Sequence, residues 1–338
     1  MRALVCHRPC DWNELVVEEV PDPPMVEGGV RIAVAYASVS FAMSLQVAGK
    51  YQRTYPMPFS PGTEVAGTVL EVAPRVTQVR PGDRVLAMID WGGVAEQVVT
   101  RAHTVYPLPE GSASALPFVP AIHLCNAYGT SYGAVIWRGA VEAGQTVLVL
   151  GAAGAVGVAA VQIARHLGAR VIGVASSEAK RRFVAEQGAH VVLGYENLRD
   201  EVMAATANEG VDLVIDPVGG DAFDASLRTV RPFGRIITVG YASGRIPQIP
   251  ANLLLVKNIA VLGLNMGLFF GWGLSDERAR HETRVRAMMR DLMDWSIAGA
   301  IRPHVSHIFE LEDYREAMRV IRARESTGKV CIRLGDAT

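Results

Sequence analysis

The sequence predicts an α/β fold in which a doubly wound parallel sheet is inserted into a β-rich domain. Three observations predict it: short strands broken by proline and glycine near the N-terminus, alternating strands and helices after about Pro120, and a C-terminal stretch that leaves this alternation. The 338 residues are 50% hydrophobic, which suffices for a large core and two domains. We expect one domain from residues 1–122 and 266–338, and a second from residues 123–265.

The N-terminal strands alternate apolar and polar side chains. The alternation covers residues 30–36 and 67–72, and it is typical of strands that bury one face. Turn-forming residues separate such strands, as in Pro61-Gly62 and the Pro-Gly-Asp of residues 81–83. This pattern favours an antiparallel, partly open barrel over a parallel sheet.

The middle of the chain alternates strands with helices. Residues 146–150 form a continuous apolar run, as expected of a parallel strand covered on both faces, and residues 155–167 have helical character. Further strands are predicted at 170–175, 190–193, 211–215, 235–239 and 259–264, and further helices at 178–187 and 198–208. Six strands linked in this way fit the dinucleotide-binding Rossmann sheet, with helices on both faces.

The C-terminal stretch does not continue this series. Residues 275–298 and 311–324 have the pattern of amphipathic helices, and residues 330–334 have that of a closing strand. We expect these elements to return to the first domain, which makes the Rossmann unit an insertion.

A glycine-rich segment, Gly-Ala-Ala-Gly-Ala-Val-Gly at residues 151–157, separates the first strand of the Rossmann unit from its helix. Gly154 would let the backbone approach a pyrophosphate, and Gly157 would let the helix pack closely on the strand. The N–H groups at the start of the following helix would face the phosphates, so Ala155 and Val156 are expected cofactor contacts. The second residue of the segment is alanine, where the usual motif has its first glycine. The strand–turn–helix context predicts a bound dinucleotide.

The end of the second strand favours NADPH over NADH. An acidic residue there would bind the ribose hydroxyls and repel a 2′-phosphate. The chain instead has Ser176 and Ser177, followed one helical turn later by Lys180. Hydroxyl donors and an ammonium suit a dianionic phosphate, and Glu178 is interpreted as a first-turn carboxylate facing the helix dipole.

Charge and cysteine content argue against several partners. Lys and Arg number 33 against 34 Asp and Glu, a formal net charge of -1 that gives no reason to expect nucleic acid or an anionic membrane. Cys6 and Cys10 have C-x-x-x-C spacing, but no second pair completes a tetrahedral metal site. We see no signal peptide and no run near the ~20 apolar residues of a membrane span. We therefore expect a cytoplasmic protein with reduced thiols and no metal.

Several ordered segments resemble those of a known family. They are the Pro-Gly-Thr-Glu-Val-Ala-Gly of residues 61–67, the Pro-Gly-Asp-Arg-Val of 81–85, the Ala-Tyr-Gly-Thr-Ser-Tyr of 127–132, the glycine-rich segment, the Asp-Pro-Val-Gly-Gly of 216–220 and the Ser-Thr-Gly-Lys-Val of 326–330. Over nearly its whole length the chain resembles the medium-chain dehydrogenase/reductase superfamily, and within it the zinc-independent NADPH:quinone oxidoreductase (zeta-crystallin-like) branch. The resemblance implies a GroES-like catalytic domain, a Rossmann domain that binds NADPH, a small-molecule acceptor and commonly a homodimer.

The resemblance also implies which residues contact the cofactor. Thr130 is expected beside the nicotinamide, Tyr195 beside the 2′-phosphate, and Lys329 at the phosphates. Ser176, Ser177 and Lys180 fall where the family holds the 2′-phosphate. The other implied contacts follow the fifth and sixth Rossmann strands: Gly240, Tyr241, Ala242, Leu264 and Asn265.

The resemblance also bears on zinc. Zinc alcohol dehydrogenases carry a cysteine near the position of Ser40 and a histidine at that of Thr63, and neither hydroxyl is a good substitute ligand. Without this Lewis acid, oxidation of an alcohol is disfavoured, and hydride addition to a quinone or an activated alkene (an enone or an enoyl thioester) remains feasible.

Catalytic groups are less clearly marked. Tyr51 aligns with a tyrosine that related enoyl reductases place near the substrate, so we expect it, with Ser40, near the acceptor as a proton donor or orienting group. An aromatic wall without a proton role is the alternative for Tyr51. Met43 stands where relatives usually carry aspartate, which predicts a more apolar acceptor pocket. Its candidate lining residues are Phe41, Met43, Trp91, Trp137, Met266, Phe269 and Phe270. For each of them, ordinary packing in the core is the alternative.

Two classes of function stay open at this point. One is NADPH-dependent reduction of quinones or activated alkenes. The other is a catalytically weak NADPH-binding protein that acts as a redox sensor, a structural protein or an RNA-binding protein, because a fold does not fix a function.

Overall fold

The chain divides into two compact units in a computed structural model that describes residues 1–109, 111 and 116–335. The first unit comprises Met1–Asn126, Gly267–Ala298 and Pro303–Thr338, and the second comprises Ala127–Met266 and Gly299–Arg302. Three short stretches therefore lie outside the domains expected for them: residues 123–126, residue 266 and residues 299–302. Hydrogen bonds hold the first and the last of these stretches, because the Asn126 N–H donates to Glu64 in the first unit and the Arg302 N–H donates to Gln162 in the second.

The strands of the described residues, in chain order, are β1 (Arg2–Val5), β2 (Val16–Glu19), β3 (Gly29–Val39), β4 (Glu64–Val72), β5 (Arg84–Met88), β6 (Gln97–Arg101), β7 (Val105–Pro107), β8 (Thr146–Val149), β9 (Arg170–Val174), β10 (Val191–Leu193), β11 (Val211–Asp216), β12 (Val230–Thr238), β13 (Ala260–Gly263), β14 (Val305–Glu310) and β15 (Lys329–Arg333). The α-helices are α1 (Phe41–Val47), α2 (Phe118–His123), α3 (Gly129–Tyr132), α4 (Ala155–His166), α5 (Glu178–Glu186), α6 (Leu198–Ala205), α7 (Gly220–Ser226), α8 (Ala251–Lys257), α9 (Arg278–Ile297) and α10 (Tyr314–Arg322).

The first unit is built on an open sheet whose strand order is β14-β15-β3-β4-β5-β7, with β6 also pairing with β3. Most of its pairs are antiparallel, as predicted, and β1 and β2 form a separate antiparallel pair. The β14–β15 pair is parallel, because α10 connects the two strands as a crossover. The β-rich character of this unit is confirmed.

The C-terminal elements return to the first unit, as the sequence predicts. Strand β15 pairs with β3, with Val330 opposite Val39. The Trp12 ring meets the Tyr314 ring edge-on at 6.1 Å, and its Nε1 donates to the Tyr314 carbonyl oxygen at 2.8 Å. These contacts join residues about three hundred positions apart and make the second unit an insertion.

The second unit contains a parallel sheet with the order β10-β9-β8-β11-β12-β13. This is the Rossmann order, with the first strand, β8, in the middle. The continuous apolar runs lie at its centre, where Leu148, Ile172, Val214 and Ile236 are fully buried. The order reverses between β8 and β11, so their carboxyl ends border the crevice where doubly wound sheets bind ligands. The predicted α/β class and the Rossmann insertion are confirmed.

Helix boundaries differ from the sequence predictions by a few residues. Helix α9 begins at Arg278 rather than near residue 275, and Leu311–Asp313 forms a 3₁₀ turn before α10. Residues 118–138 form a helical stretch in which π-helical turns at Leu124–Tyr128 and Gly133–Arg138 flank α3. Among the described residues, no helix combines the length and apolar character that a membrane span requires.

Candidate active site

The glycine-rich segment forms a tight turn from the carboxyl end of β8 into α4. Gly151 has φ +58°, and its carbonyl oxygen accepts a hydrogen bond from the Gly154 N–H at 2.9 Å. Gly154 is the N-cap of α4. A Cβ at Gly157 would lie 2.1 Å from the Gly151 oxygen, so only glycine permits this approach of helix and strand.

Alanine at the second position of the segment is explained by the same geometry. Ala152 does not need a left-handed conformation, because Gly151, one position earlier, provides it. The Ala152 N–H donates to the Val174 carbonyl oxygen at 2.9 Å, and its methyl group would lie 3.3 Å from a Cβ at Gly173. The Ala152 methyl therefore packs against a glycine of the neighbouring strand, β9.

The turn has room for a ligand at its outer side. Gly154 is exposed, and a Cβ built there would lie 3.4 Å from the Gly151 oxygen, an ordinary van der Waals contact. The helix that follows presents its first-turn N–H groups at Ala155 and Val156. This cradle fits a dinucleotide pyrophosphate, which needs close backbone approach and N–H donors.

Tyr195, two residues after β10, contacts the same turn. Its hydroxyl oxygen accepts a hydrogen bond from the Gly151 N–H at 2.9 Å, and 36% of the residue is exposed. Tyr195 therefore fixes the turn at its first residue, in addition to any contact with the cofactor.

The predicted phosphate residues lie at the carboxyl end of β9, the strand next to β8. Ser176 and Ser177 are exposed, and Ser177 is the N-cap of α5, where its Oγ accepts a hydrogen bond from the Lys180 N–H at 3.3 Å. Glu178 forms an i,i+4 ion pair with Arg182 at 2.8 Å. The carboxylate that argued against NADPH thus has a cationic partner on its own helix.

Further predicted contacts follow other strand ends of the second unit. The Leu264 N–H donates to the Thr238 carbonyl oxygen at 3.0 Å, continuing the pairing of β13 with β12. Asn265 is exposed beyond it, and Gly240, Tyr241 and Ala242 follow β12, with Tyr241 exposed by 41%. In a parallel sheet the carboxyl ends of all strands share one edge, so these residues lie along the edge that carries the glycine turn.

Thr130, on α3, is buried, and its neighbour ties this helix to α4. The Ser131 hydroxyl donates to the Val156 carbonyl oxygen at 2.7 Å. Within the second unit, this bond holds Thr130 close to the first turn of α4.

Asp216 shapes the same edge, a role that the sequence did not reveal. It ends β11, and its Oδ1 accepts hydrogen bonds from the Val218 and Gly219 N–H groups, both at 2.8 Å. Burial raises the pKa of its carboxyl group, against the opposing effect of these two bonds. The only sign of this turn in the sequence is the Asp-Pro-Val-Gly-Gly segment itself.

Lys329 lies in the first unit, on β15, and is 4% exposed. Its ammonium forms an ion pair with Glu64, which also accepts hydrogen bonds from the Ser38 hydroxyl at 2.5 Å and from the Asn126 N–H at 2.9 Å. The Lys329 ammonium therefore has a carboxylate partner in the first unit. The phosphate contact that the resemblance implies stays a prediction.

Ser40 and Tyr51 flank helix α1 in the first unit. Ser40 is the N-cap of α1, without a capping hydrogen bond from its side chain. Tyr51 is half-buried against the core, and this burial raises the pKa of its phenol despite the opposing charge of Arg53. The phenol therefore keeps its proton at neutral pH.

Asp90 anchors the loop that carries Tyr51. Arg53 pairs with it at 2.7 Å, and Arg278, whose side chain is only 6% exposed, pairs with it at 3.1 Å. The Arg53 guanidinium also lies 5.7 Å from the ring centres of Tyr55 and Trp91. The sequence carries no signal for this network, because Arg278 and Asp90 are 188 positions apart.

The candidate lining residues of the acceptor pocket differ in their exposure. Met43, which replaces the family's aspartate, is 1% exposed and belongs to the core of the first unit. Phe270 and Met266 are also buried, whereas Phe41 and Trp91 are exposed. For Met43 the structure therefore shows core packing, the alternative to a pocket wall.

Comparison with known proteins supports the assignment of both units. Residues 26–110 match the alcohol dehydrogenase GroES-like domain, and residues 155–278 match the zinc-binding dehydrogenase family. The quinone oxidoreductase-like protein 2 homolog of Nematostella vectensis is 40% identical over 338 residues, covering 98% of this chain and 88% of the relative. Human quinone oxidoreductase is 31% identical, covering 85% and 83%. The chain belongs to the medium-chain dehydrogenase/reductase superfamily, in its zinc-independent quinone oxidoreductase branch.

A structural relative in this superfamily was solved with its cofactor. The mycobacterial protein complexed with NADPH is 28% identical and superimposes with a TM-score of 0.89, covering 98% of this chain and all of the relative. The likeness extends over both units of the superfamily fold.

The match to zinc-binding dehydrogenases does not bring a zinc site with it. It covers residues 155–278, which lie outside the positions of Ser40 and Thr63. Those two positions fall in the GroES-like match, where this member of the superfamily has hydroxyl side chains. Within the described residues, no group of three or more His, Cys, Asp or Glu side chains could hold a metal ion.

Proposed function

We propose that this protein is a reductase that uses NADPH to reduce quinones or activated alkenes without zinc. The observation that carries the proposal is the turn at residues 151–157, open at Gly154 and bordered by Ser176, Ser177 and Lys180 at the end of the next strand. The names of the quinone oxidoreductase relatives and the mycobacterial complex with NADPH support it.

The chain's own groups would hold the cofactor as follows. The N–H groups at the start of α4 bind the pyrophosphate, and the absence of a side chain at Gly154 lets it approach. Ser176, Ser177 and Lys180 bind the 2′-phosphate with hydroxyl donors and a positive charge. When bound, the reduced nicotinamide supplies a hydride.

The acceptor chemistry follows from the side chains near α1. A quinone takes up reducing equivalents and then protons from water, so it needs no positioned acid. An activated alkene needs a proton at its α-carbon, and the Tyr51 phenol, which stays protonated at neutral pH, is a suitable donor. Ser40, at the start of α1, offers a second hydroxyl.

The 2′-phosphate assignment is tested by Lys180→Ala. Removing a charge-assisted hydrogen bond costs about 1.5–3 kcal/mol, which weakens NADPH binding roughly 10- to 100-fold. NADH affinity stays unchanged, because NADH lacks the phosphate. Calorimetric titration with both cofactors gives the two affinities.

Arg182→Ala is the matched control for this test. It removes a cation from the same helix, but one that pairs with Glu178. Its NADPH affinity is expected to stay close to that of the unmutated protein. Equal affinities of the unmutated protein for NADH and NADPH would refute the 2′-phosphate site. If the protein binds NADPH but no quinone or enone oxidises it, the alternative of a catalytically weak NADPH-binding protein is favoured.

A further inference from the structure

The thiols of Cys6 and Cys10 lie side by side in the first unit. Their Sγ atoms are 4.0 Å apart, and both cysteines are free. Cys6 is fixed by paired backbone hydrogen bonds with Phe59, at 2.9 and 3.1 Å. The contact between the two sulfur atoms serves neither the cofactor site nor a metal site of the described residues.

The short loop between the two cysteines packs against the end of α1. The Cys10 N–H donates to the Val47 carbonyl oxygen at 3.1 Å, and the Cys6 Sγ lies 3.9 Å from the same oxygen. Pro9 lies next to Gly49, where an added Cβ would be 3.4 Å from the proline ring. Gly49 is two residues before Tyr51, so the loop supports the segment that carries the proposed proton donor.

We propose that Cys6 and Cys10 are a modification site, a dithiol that forms a reversible disulfide under oxidation by a peroxide. Rotation of the side chains must close the 4.0 Å separation to the S–S bond length of about 2 Å. The other two cysteines, Cys125 and Cys331, are free and fully buried.

The order of the two steps follows from burial. Cys10 is half-exposed, so its sulfur meets hydrogen peroxide first; the O–O bond breaks, a sulfenic acid forms and one water leaves. The Cys6 sulfur then attacks the Cys10 sulfur, the S–S bond forms and the sulfenic oxygen leaves as a second water. Each sulfur is oxidised by one electron, and the two electrons reduce the peroxide. A dithiol reductant reverses the change.

Cys6 is suited to the second step, not the first. Burial, together with the neighbouring Cys10 thiol, raises the pKa of Cys6 to about 12, so it carries little thiolate at neutral pH. Once Cys10 is oxidised, its sulfur is in contact with Cys6, and proximity compensates for the low thiolate content.

Disulfide formation would disturb the end of α1. Drawing Cys10 towards Cys6 pulls on the hydrogen bond from the Cys10 N–H to Val47, the last residue of α1. The Gly49–Tyr51 segment would shift with it. Formation of the disulfide is independent of the proposed function, whereas its predicted effect on turnover rests on that function.

The decisive experiment uses the full chain treated with hydrogen peroxide, then denatured and titrated for thiols. We expect the count to fall from four to two and to return to four after treatment with dithiothreitol. Trypsin should release Ala3–Arg31 as one peptide, because Pro9 blocks cleavage after Arg8. Its mass should drop by two hydrogen atoms, which differs from the gain of oxygen that oxidation of Met25 would produce.

Cys10→Ser is the variant control. After peroxide treatment this variant should keep its three remaining thiols or gain oxygen at Cys6. Its Ala3–Arg31 peptide should contain no disulfide. Four thiols after peroxide treatment of the unmutated protein, or a disulfide mapped to other cysteines, would overturn the proposal. The effect on turnover is read separately: peroxide should lower NADPH oxidation in the unmutated protein but not in Cys10→Ser, and equal losses in both would reject the coupling to α1.

Discussion

Lys329 and Glu64 form an ion pair with almost no access to water. The Glu64 carboxylate also accepts hydrogen bonds from the Ser38 hydroxyl and the Asn126 N–H, so its oxygens are well satisfied. Such a pair adds little net stability compared with apolar residues, but breaking it leaves one charge buried without a partner. The lysine therefore has a structural role that joins β15 to β4.

Lys329→Met should lower the free energy of unfolding by about 3–5 kcal/mol, because it leaves the Glu64 carboxylate unpaired in the interior. Lys329→Met combined with Glu64→Leu should recover most of this loss. Urea denaturation of the two variants and the unmutated protein measures the difference. Unchanged stability of Lys329→Met together with weaker NADPH binding would instead place the ammonium at the phosphates.

Tyr51→Phe should slow reduction of an enone more than reduction of a quinone, because only the enone needs a positioned proton. With the phenol intact, enone reduction should hold from neutrality up to about pH 10, the ordinary tyrosine pKa, since burial raises the pKa of Tyr51 further. Steady-state rates with both acceptors across this pH range provide the measurement.

Tyr55→Phe is the matched control for Tyr51, since it removes a hydroxyl from the same loop. Tyr55 is buried, and its ring stacks on Phe59 at 5.0 Å. Tyr55→Phe should change the rates of quinone reduction and enone reduction equally. Equal slowing of quinone and enone by Tyr51→Phe would remove the proton-donor role.

Residue-scale prediction from sequence worked where the backbone imposes the residue type. Gly157 was identified because its position in a strand–turn–helix motif requires close packing, and the structure shows the contact that a side chain would violate. The Asp90 network and the partner of Lys329 could not be predicted, since these pairs join positions 188 and 265 residues apart with no local pattern. The sequence could not decide between a pocket and the core for Met43, because an apolar residue fits both.

At the scale of elements, the turn into α4 separates two roles of glycine. A Cβ at Gly157 would overlap the Gly151 oxygen and approach the Ala152 Cα within 2.6 Å, whereas a Cβ at Gly154 fits. Gly157 is thus required by the fold, whereas Gly154 leaves space that the fold itself does not use.

Gly157→Ala should lower the free energy of unfolding by about 3 kcal/mol, the upper end for overpacking, because backbone atoms must move. Gly154→Ala should cost less than about 1 kcal/mol, as expected at a helix N-cap, and should weaken NADPH binding strongly. Thermal unfolding and cofactor titration of both variants test this separation. If Gly154→Ala binds NADPH normally, the pyrophosphate does not lie at this turn.

Elements with strong periodicity were predicted well, and their ends less well. Helix α5 ends one residue before its predicted boundary, because helix termini depend on caps and not on periodicity. The helical stretch at residues 118–138 was not predicted, since its alternation of α and π turns gives no constant period.

At the scale of the whole molecule, the insertion of one unit into the other could be predicted from the sequence. The C-terminal elements break the strand–helix alternation, and the structure places them with the first unit. The exact boundaries of the two units could not be predicted, because they depend on contacts between distant residues, such as the hydrogen bond of Asn126 to Glu64.

The homodimer implied by the family resemblance remains a prediction. Strand β13 is an edge of the Rossmann sheet, and α8 just before it exposes Leu255 and Val256 by 79% and 75%. Exposed apolar side chains beside an open strand favour association with a second copy. Sedimentation velocity should show a dimer, and Leu255→Asp with Val256→Asp should shift it to monomer; a monomeric unmutated protein would contradict the prediction.

The central claim is that reducing equivalents pass from NADPH to an organic acceptor without a metal ion. The most direct measurement is the rate of NADPH oxidation by the purified protein with a quinone or an enone, with and without a metal chelator. We expect oxidation that depends on the acceptor, is unaffected by the chelator and has a higher kcat/KM with NADPH than with NADH. Oxidation abolished by the chelator, or no oxidation with either acceptor while NADPH binds, would contradict the claim.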